Sequence, residues 1–168
     1  VEVTGHADMF DTSYDENDDK FTLDTKSVIS NNGDKLVAPG TEGLLTDIGL
    51  KGIPEVAVRI TYDATLDLAG WNLAGVEYYC PIVINVEGTD YYGMNYADEA
   101  AFEEAVKKAI AKCNNDYKAK TDLSTIGADG PTVSWKWVFE VNDGIQTDAK
   151  DTILGNQAAK GQAATISL

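Results

Sequence analysis

The single histidine, His6, is the residue on which most hydrolytic chemistry in this chain would depend. A zinc hydrolase needs two or three imidazoles, commonly spaced His-Glu-x-x-His, and no such spacing occurs. A Ser or Cys nucleophile would have to take His6 as its base, on the least anchored stretch of the sequence. The nearest approach to a calcium loop is Asp15, Asn17 and Asp19, at the first, third and fifth places of an EF-hand. Its sixth place is Lys20 where Gly is needed, and its twelfth is Lys26 where a bidentate Glu is needed, so the stretch reads as an acidic linker. Trp71, Trp135, Trp137 and the pairs Tyr78-Tyr79 and Tyr91-Tyr92 could stack on sugars, but alternating aromatics are the ordinary filling of a sheet core. The residue types thus supply no catalytic set, no metal-ligand set and no cofactor motif. The expectation is a protein that is not an enzyme and carries no cofactor.

Any site must therefore come from the elements themselves, and these are strands. Residues 55 to 68 alternate, with Val56, Val58, Ile60, Tyr62, Ala64, Leu66 and Leu68 on one side and a mostly polar set on the other. A period of two places one face dry and one face wet, and the run is longer than the usual strand of roughly 3–10 residues. Val76 to Val86 and Val133 to Val141 alternate in the same way. Shorter or partial strands are expected at Phe21 to Ile29, Gly43 to Ile48, Tyr91 to Met94, Ile153 to Gly155 and Thr165 to Leu168. Pro39-Gly40 reads as a type II turn, and Trp71 is expected to be buried at a bend. One helix is expected at about 98–113. Asp98 is its N-cap, Glu99, Glu103 and Glu104 lie near the start, and Lys107, Lys108 and Lys112 lie near the end. Long half-buried strands with one inserted helix predict an all-β, antiparallel sandwich.

Cys80 falls on the apolar side of its strand, and Cys113 ends the helical stripe Phe102, Val106, Ala109 and Ile110. Both aim at the core, which predicts an intrachain disulfide in an exported protein, the alternative being two buried thiols.

With 13 Lys plus Arg against 28 Asp plus Glu, the 168-residue chain carries a formal charge of −15 and would be repelled by nucleic acid and by anionic membranes. No apolar run approaches the roughly 20 residues of a membrane span. The first residue is Val1, from which a removed secretory signal or a trimmed leader is expected. The first ten residues also alternate, Val1, Val3, Gly5, Ala7 and Met9 against Glu2, Thr4, His6, Asp8 and Phe10, and an acidic connector follows at Asp11 to Lys20.

Four stretches in order complete the pattern: KLVAPGTEG at Lys35 to Gly43, IPEVAVRITYDATLDLAGW at Ile53 to Trp71, Tyr79 to Pro81 with the following helix, and SWKWVFEVNDGIQTDAKDTILG at Ser134 to Gly155. Together they resemble the TasA/camelysin family of secreted biofilm-fibre proteins, with its archaeal pilus-forming relatives. The resemblance implies a jelly-roll domain, exported and polymerised into extracellular filaments by donor-strand complementation. It divides the chain into a donor strand at 1–10, an acidic connector at 11–20 and a jelly-roll domain at 21–168. The donor strand would bring Val1, Val3, Gly5, Ala7 and Met9 to the subunit interface. The partners it implies are further copies of the chain and other matrix components. The peptidase activity once assigned to camelysins does not carry over, because its ligand set is missing. The Cys pair and the acidic stretch also depart from the family pattern. The competing reading, from another functional class, is a monomeric secreted module that binds polysaccharide or a cell surface.

Overall fold

Residues 2–6, 39–138, 146–162 and 164–168 are described by the computed structural model. The expected strand at Phe21 to Ile29, the acidic stretch with Asp15, Asn17 and Asp19, and Val1, Ala7 and Met9 all lie outside them. In chain order the elements are β1 (Glu2–His6), β2 (Glu42–Lys51), β3 (Val58–Ile60), β4 (Asn72–Leu73), β5 (Glu77–Tyr78), β6 (Ile82–Val86), β7 (Thr89–Tyr92), α1 (Glu99–Ala111), β8 (Asn115–Tyr117), β9 (Asp129–Trp137) and α2 (Asp148–Ala158).

Five strands form one antiparallel sheet in the order β1-β2-β9-β6-β7. Its inner face follows from period two: Val133, Trp135 and Trp137 of β9 are buried and are opposed by Val86, Ile84 and Ile82 of β6. Pro39-Gly40 forms the expected turn, with Gly40 at φ 87° where a side chain would be strained, and leads into β2. Over this face lie α1, the extended segment 61–68 and the tail 164–168, which close one core around Leu66, Leu68, Trp71, Tyr79, Phe102, Val106 and Ile166. The fold is predominantly antiparallel β with two helices.

Helix α1 forms as expected. The Asp98 carboxylate accepts from Ala101 N at 2.8 Å, and Phe102, Val106, Ala109 and Ile110 make the buried stripe.

The long alternating run needs correction. The alternation fails at 55–57, where Val56, expected on the dry side, is 67% exposed, and holds from Val58 to Leu68, yet only Val58–Ile60 sits in a ladder, against β8, and Asp67 adds a single bridge to Ser167. Side chains from elsewhere meet the backbone at Tyr62, Leu68 and the neighbouring Trp71. Asn114 Oδ1 accepts from Tyr62 N at 2.7 Å, Glu103 Oε1 from Leu68 N at 3.1 Å, and Glu99 Oε1 from Trp71 N at 3.0 Å. The acids at the start of α1 thus bind the segment beneath them as well as favouring the helix end.

Two further expectations fail. Val76 to Val86 is broken into β5, which pairs with β4 and is extended by the bond from Tyr79 N to Trp71 O, and β6, which pairs with β7 and β9. Residues 153–155 are helical: Thr147 caps α2 by accepting from Lys150 N, and Asp148 and Asp151 occupy its first turn.

Cys80 and Cys113 are free thiols. Cys80 packs at the start of α1, where a Cβ on Gly93 would lie 2.8 Å from its Sγ, and Cys113 follows the far end. Helix α1, 13 residues and so about 20 Å long, runs between those two places, against the roughly 7 Å limit between bridged Cα atoms. Cys80 is buried in the core as expected, whereas Cys113 is only partly buried and stands outside it. Burial pushes the Cys80 thiol up to about 12 and raises Cys113 as well, so neither is an activated nucleophile.

Candidate functional site

The β1–β2 edge brings the described members of the expected donor strand onto the sheet. Glu2 pairs with Lys51, Val3 with Leu50, Thr4 with Gly49, Gly5 with Ile48 and His6 with Asp47. The apolar register positions Val3 and Gly5 therefore stand opposite Leu50 and Ile48. Leu50 is buried in a small core with Leu123 and Ala128, to which Ile48, Ile60 and Tyr117 add. In this single chain the strand pairs in cis, as the edge of its own sheet.

The acceptor strand β2 is irregular. Its pairing with β9 shifts between Leu44 and Thr46 and again between Asp47 and Gly49. Such bulges increase local twist and re-aim the strand. Beside it a groove of about 330 Å³ runs between Thr46 and Ile48 on one side and residues 61–65 on the other, with Ile110, Pro131 and Leu168 completing the wall. The Tyr62 hydroxyl is buried at Gly130 and has no hydrogen-bond partner among the described residues. A Cβ on Gly130 would lie 2.8 Å from both Ile48 and Tyr62, so glycine permits the close approach.

A second concavity, of about 410 Å³, lies on the outer face of the sheet and is lined by Glu42, Leu44, Asn85, Asp90, Ser134 and Lys136 among others. Asp90 is its fixed centre: it accepts from Asn85 Nδ2 at 2.6 Å and from Lys136 Nζ at 2.7 Å. Those two contacts, Asn85 first, hold its carboxyl below the usual range. Its polar groups satisfy one another, and no base–nucleophile pair is formed there.

A third polar cluster seats α2. Asp151 is 6% exposed and accepts from the Tyr79 hydroxyl at 2.7 Å and from Trp137 Nε1 at 3.4 Å, with Gln146 adding a side-chain bond. Desolvation outweighs these donors and raises the Asp151 pKa. A carboxyl whose folded pKa is raised contributes stability fully present below its unfolded pKa, near 3.8, and lost as pH rises through the folded value. Asp151→Asn keeps the shape without the charge. The expected result is that wild type loses stability relative to Asp151→Asn as pH climbs from about 4, in urea titrations at successive pH values. A difference that is flat or grows with pH would refute the assignment.

Among the described residues, no group of three or more His, Cys, Asp or Glu could hold a metal ion, and no helix is long and apolar enough to cross a membrane. The strand at Gly43 to Ile48 is legible in the sequence and forms most of β2, but its pairing with β1, the Asp90 cluster and the Asp151 cluster are not. Each joins residues from different strands or helices, and no spacing announces them.

Compared with family models, curated proteins and solved structures, the chain finds no significant match.

Proposed function

We propose that the chain is a structural subunit of a secreted, extracellular filament, a biofilm-matrix fibre or pilus. It polymerises when β1 of one copy pairs with the β2 edge of the next. One observation carries this reading: an edge strand lies on β2, and 35 residues separate its end at His6 from the start of β2 at Glu42. By length alone, a stretch of that many residues can span at most about 120 Å, which permits the same strand to serve its own edge or a neighbour's. The ladder is identical in cis and in trans, and exchange of an identical element is a low-cost route to assembly. A head-to-tail exchange that does not close on itself grows into a filament.

The jelly-roll topology implied by the TasA/camelysin resemblance belongs to this proposal, with further copies and other matrix components as partners. Enzymatic function is not part of it. Negative-stain imaging and size exclusion of the purified chain over a range of concentrations test the reading. Unbranched filaments are expected, and a chain that stays monomeric at every concentration would sink it.

A further inference from the structure

The extended segment 61–68 has two edges, and among the described residues one of them is open at 63–65. Successive backbone N–H groups of an extended run point to opposite edges. Tyr62 N and Leu68 N point toward α1 and the residues after it, where Asn114 and Glu103 accept from them. The odd-numbered positions turn the other way. Asp67 N donates to Ser167 O at 2.8 Å, Ser167 N to Asp67 O at 2.9 Å, and Thr165 N to Ala69 O at 2.9 Å. That short ladder covers the edge at 67–69. Asp63 and Thr65, next on the same edge, make no backbone hydrogen bond to any described residue.

Alongside them runs the groove of about 330 Å³. Thr46 and Ile48 form its far wall, Leu168 lines it from the tail, and Ala64, Ile110 and Pro131 make it largely apolar. An unpaired strand edge beside an apolar trough is the geometry that a further strand fills. Main-chain bonds hold it to the edge, and alternate side chains enter the trough.

The chain itself carries such a strand. The stretches outside the described residues are Val1, 7–38, 139–145 and Ala163. Residues 139–145 join Val138 to Gln146, whose Nε2 donates to Val138 O at 2.6 Å, and are too few to leave that closed connection. Residues 7–38 depart from His6, whose partner Asp47 lies between Thr46 and Ile48, so they start at the far wall of the groove. Within them Asp11 to Lys20 carries five carboxylates, and Asn31 to Asp34 has the composition of a turn. Phe21 to Ile29 alternates, with Phe21 and Leu23 in one row and the opposite charges Asp24 and Lys26 in the other. One apolar row for the trough and one polar row for solvent is what a strand in this place requires. Residues 7–20 can span at most about 50 Å, whereas 61–66 cover only about 20 Å, so the segment reaches its place from the same molecule. Attachment beside the groove also gives it a local concentration on the order of millimolar, which favours it over a second copy.

We infer that residues 21–29 add as a strand to the open edge at Asp63 and Thr65 of the chain that carries them. The inference goes beyond the filament reading and holds whether or not β1 changes partners. With this strand in place, the arm that carries β1 is shortened to residues 7–20. Hydrogen exchange of the full chain, resolved to single amides at several concentrations below filament formation, tests it. The Asp63 and Thr65 amides should exchange as slowly as that of Asp67. Phe21→Asp with Leu23→Asp should speed both at least tenfold and leave Asp67 and the amides of β9 unchanged. Replacing 21–29 by Gly and Ser should do the same, and a peptide of residues 20–30 in excess should restore the protection. Asp63 and Thr65 amides that exchange freely in the intact chain would mean an empty edge and overturn the inference. Protection that survives both changes would mean another occupant, and protection that appears only as concentration rises would mean a strand from a second molecule; either overturns it too.

Discussion

Deletion of residues 1–10 should leave a folded, soluble monomer that forms no filaments at concentrations where the intact chain does. Five residues of β1 pair with β2. At about 1 kcal/mol net for each of roughly five ladder bonds, removing them weakens the subunit contact by about 5 kcal/mol, which is on the order of a thousandfold or more in assembly threshold. Val3→Asp should act in the same direction with a smaller effect, because it would place a charged residue at the register position opposite buried Leu50. A peptide of residues 1–10 added in excess should occupy the β2 edge of the deleted chain and should cap growth of the intact one. Sedimentation and negative-stain imaging read all three. Filaments of unchanged morphology from the deleted chain would refute strand exchange.

The largest loss of stability is expected from Trp71→Ala. Trp71 is 2% exposed and sits where three parts of the covering layer meet. Its backbone N donates to Glu99 of α1, its Nε1 donates to Thr165 O of the tail at 2.8 Å, and its ring meets Trp137 edge-on with centroids 5.4 Å apart. Truncating a buried Trp costs about 3–5 kcal/mol, a large part of the 5–15 kcal/mol that holds an ordinary domain together. For a chain of this size that corresponds to a fall in Tm of roughly 6–20 °C. Thr165 O would also lose its donor, so hydrogen exchange should accelerate in residues 164–168 more than in β6 or β9. A Tm within about 2 °C of wild type, with the tail still protected, would show that Trp71 does not join these layers.

Periodicity served where one element meets one surface. The inner face of β9, the stripe of α1 from Asp98 onward and the burial of Trp71 were all legible, because period two and period 3.6 record which face of an element is dry. The same signal misled at 58–68. Its alternation of exposure is real, but alternation records burial and is silent about what satisfies the backbone. Here Asn114, Glu103 and Glu99 do so in place of a second strand. Residues 153–155 were too short and too apolar to read as part of a helix whose buried positions are Asp151 and Leu154, because a helix seated by a carboxylate has little amphipathic stripe to detect.

By itself, then, the sequence determined the β class, the position of the amphipathic helix α1, the acidic charge and the presence of a single histidine. Each of these follows from composition or from a local period. Only the tertiary structure decided which strands are neighbours, that β1 lies on β2, that Cys80 and Cys113 stand at opposite ends of α1, and that Asp151 meets Tyr79 and Trp137 to seat α2. Those depend on pairings between residues far apart in the chain, which are fixed by the collective packing of the core and leave no mark on local spacing.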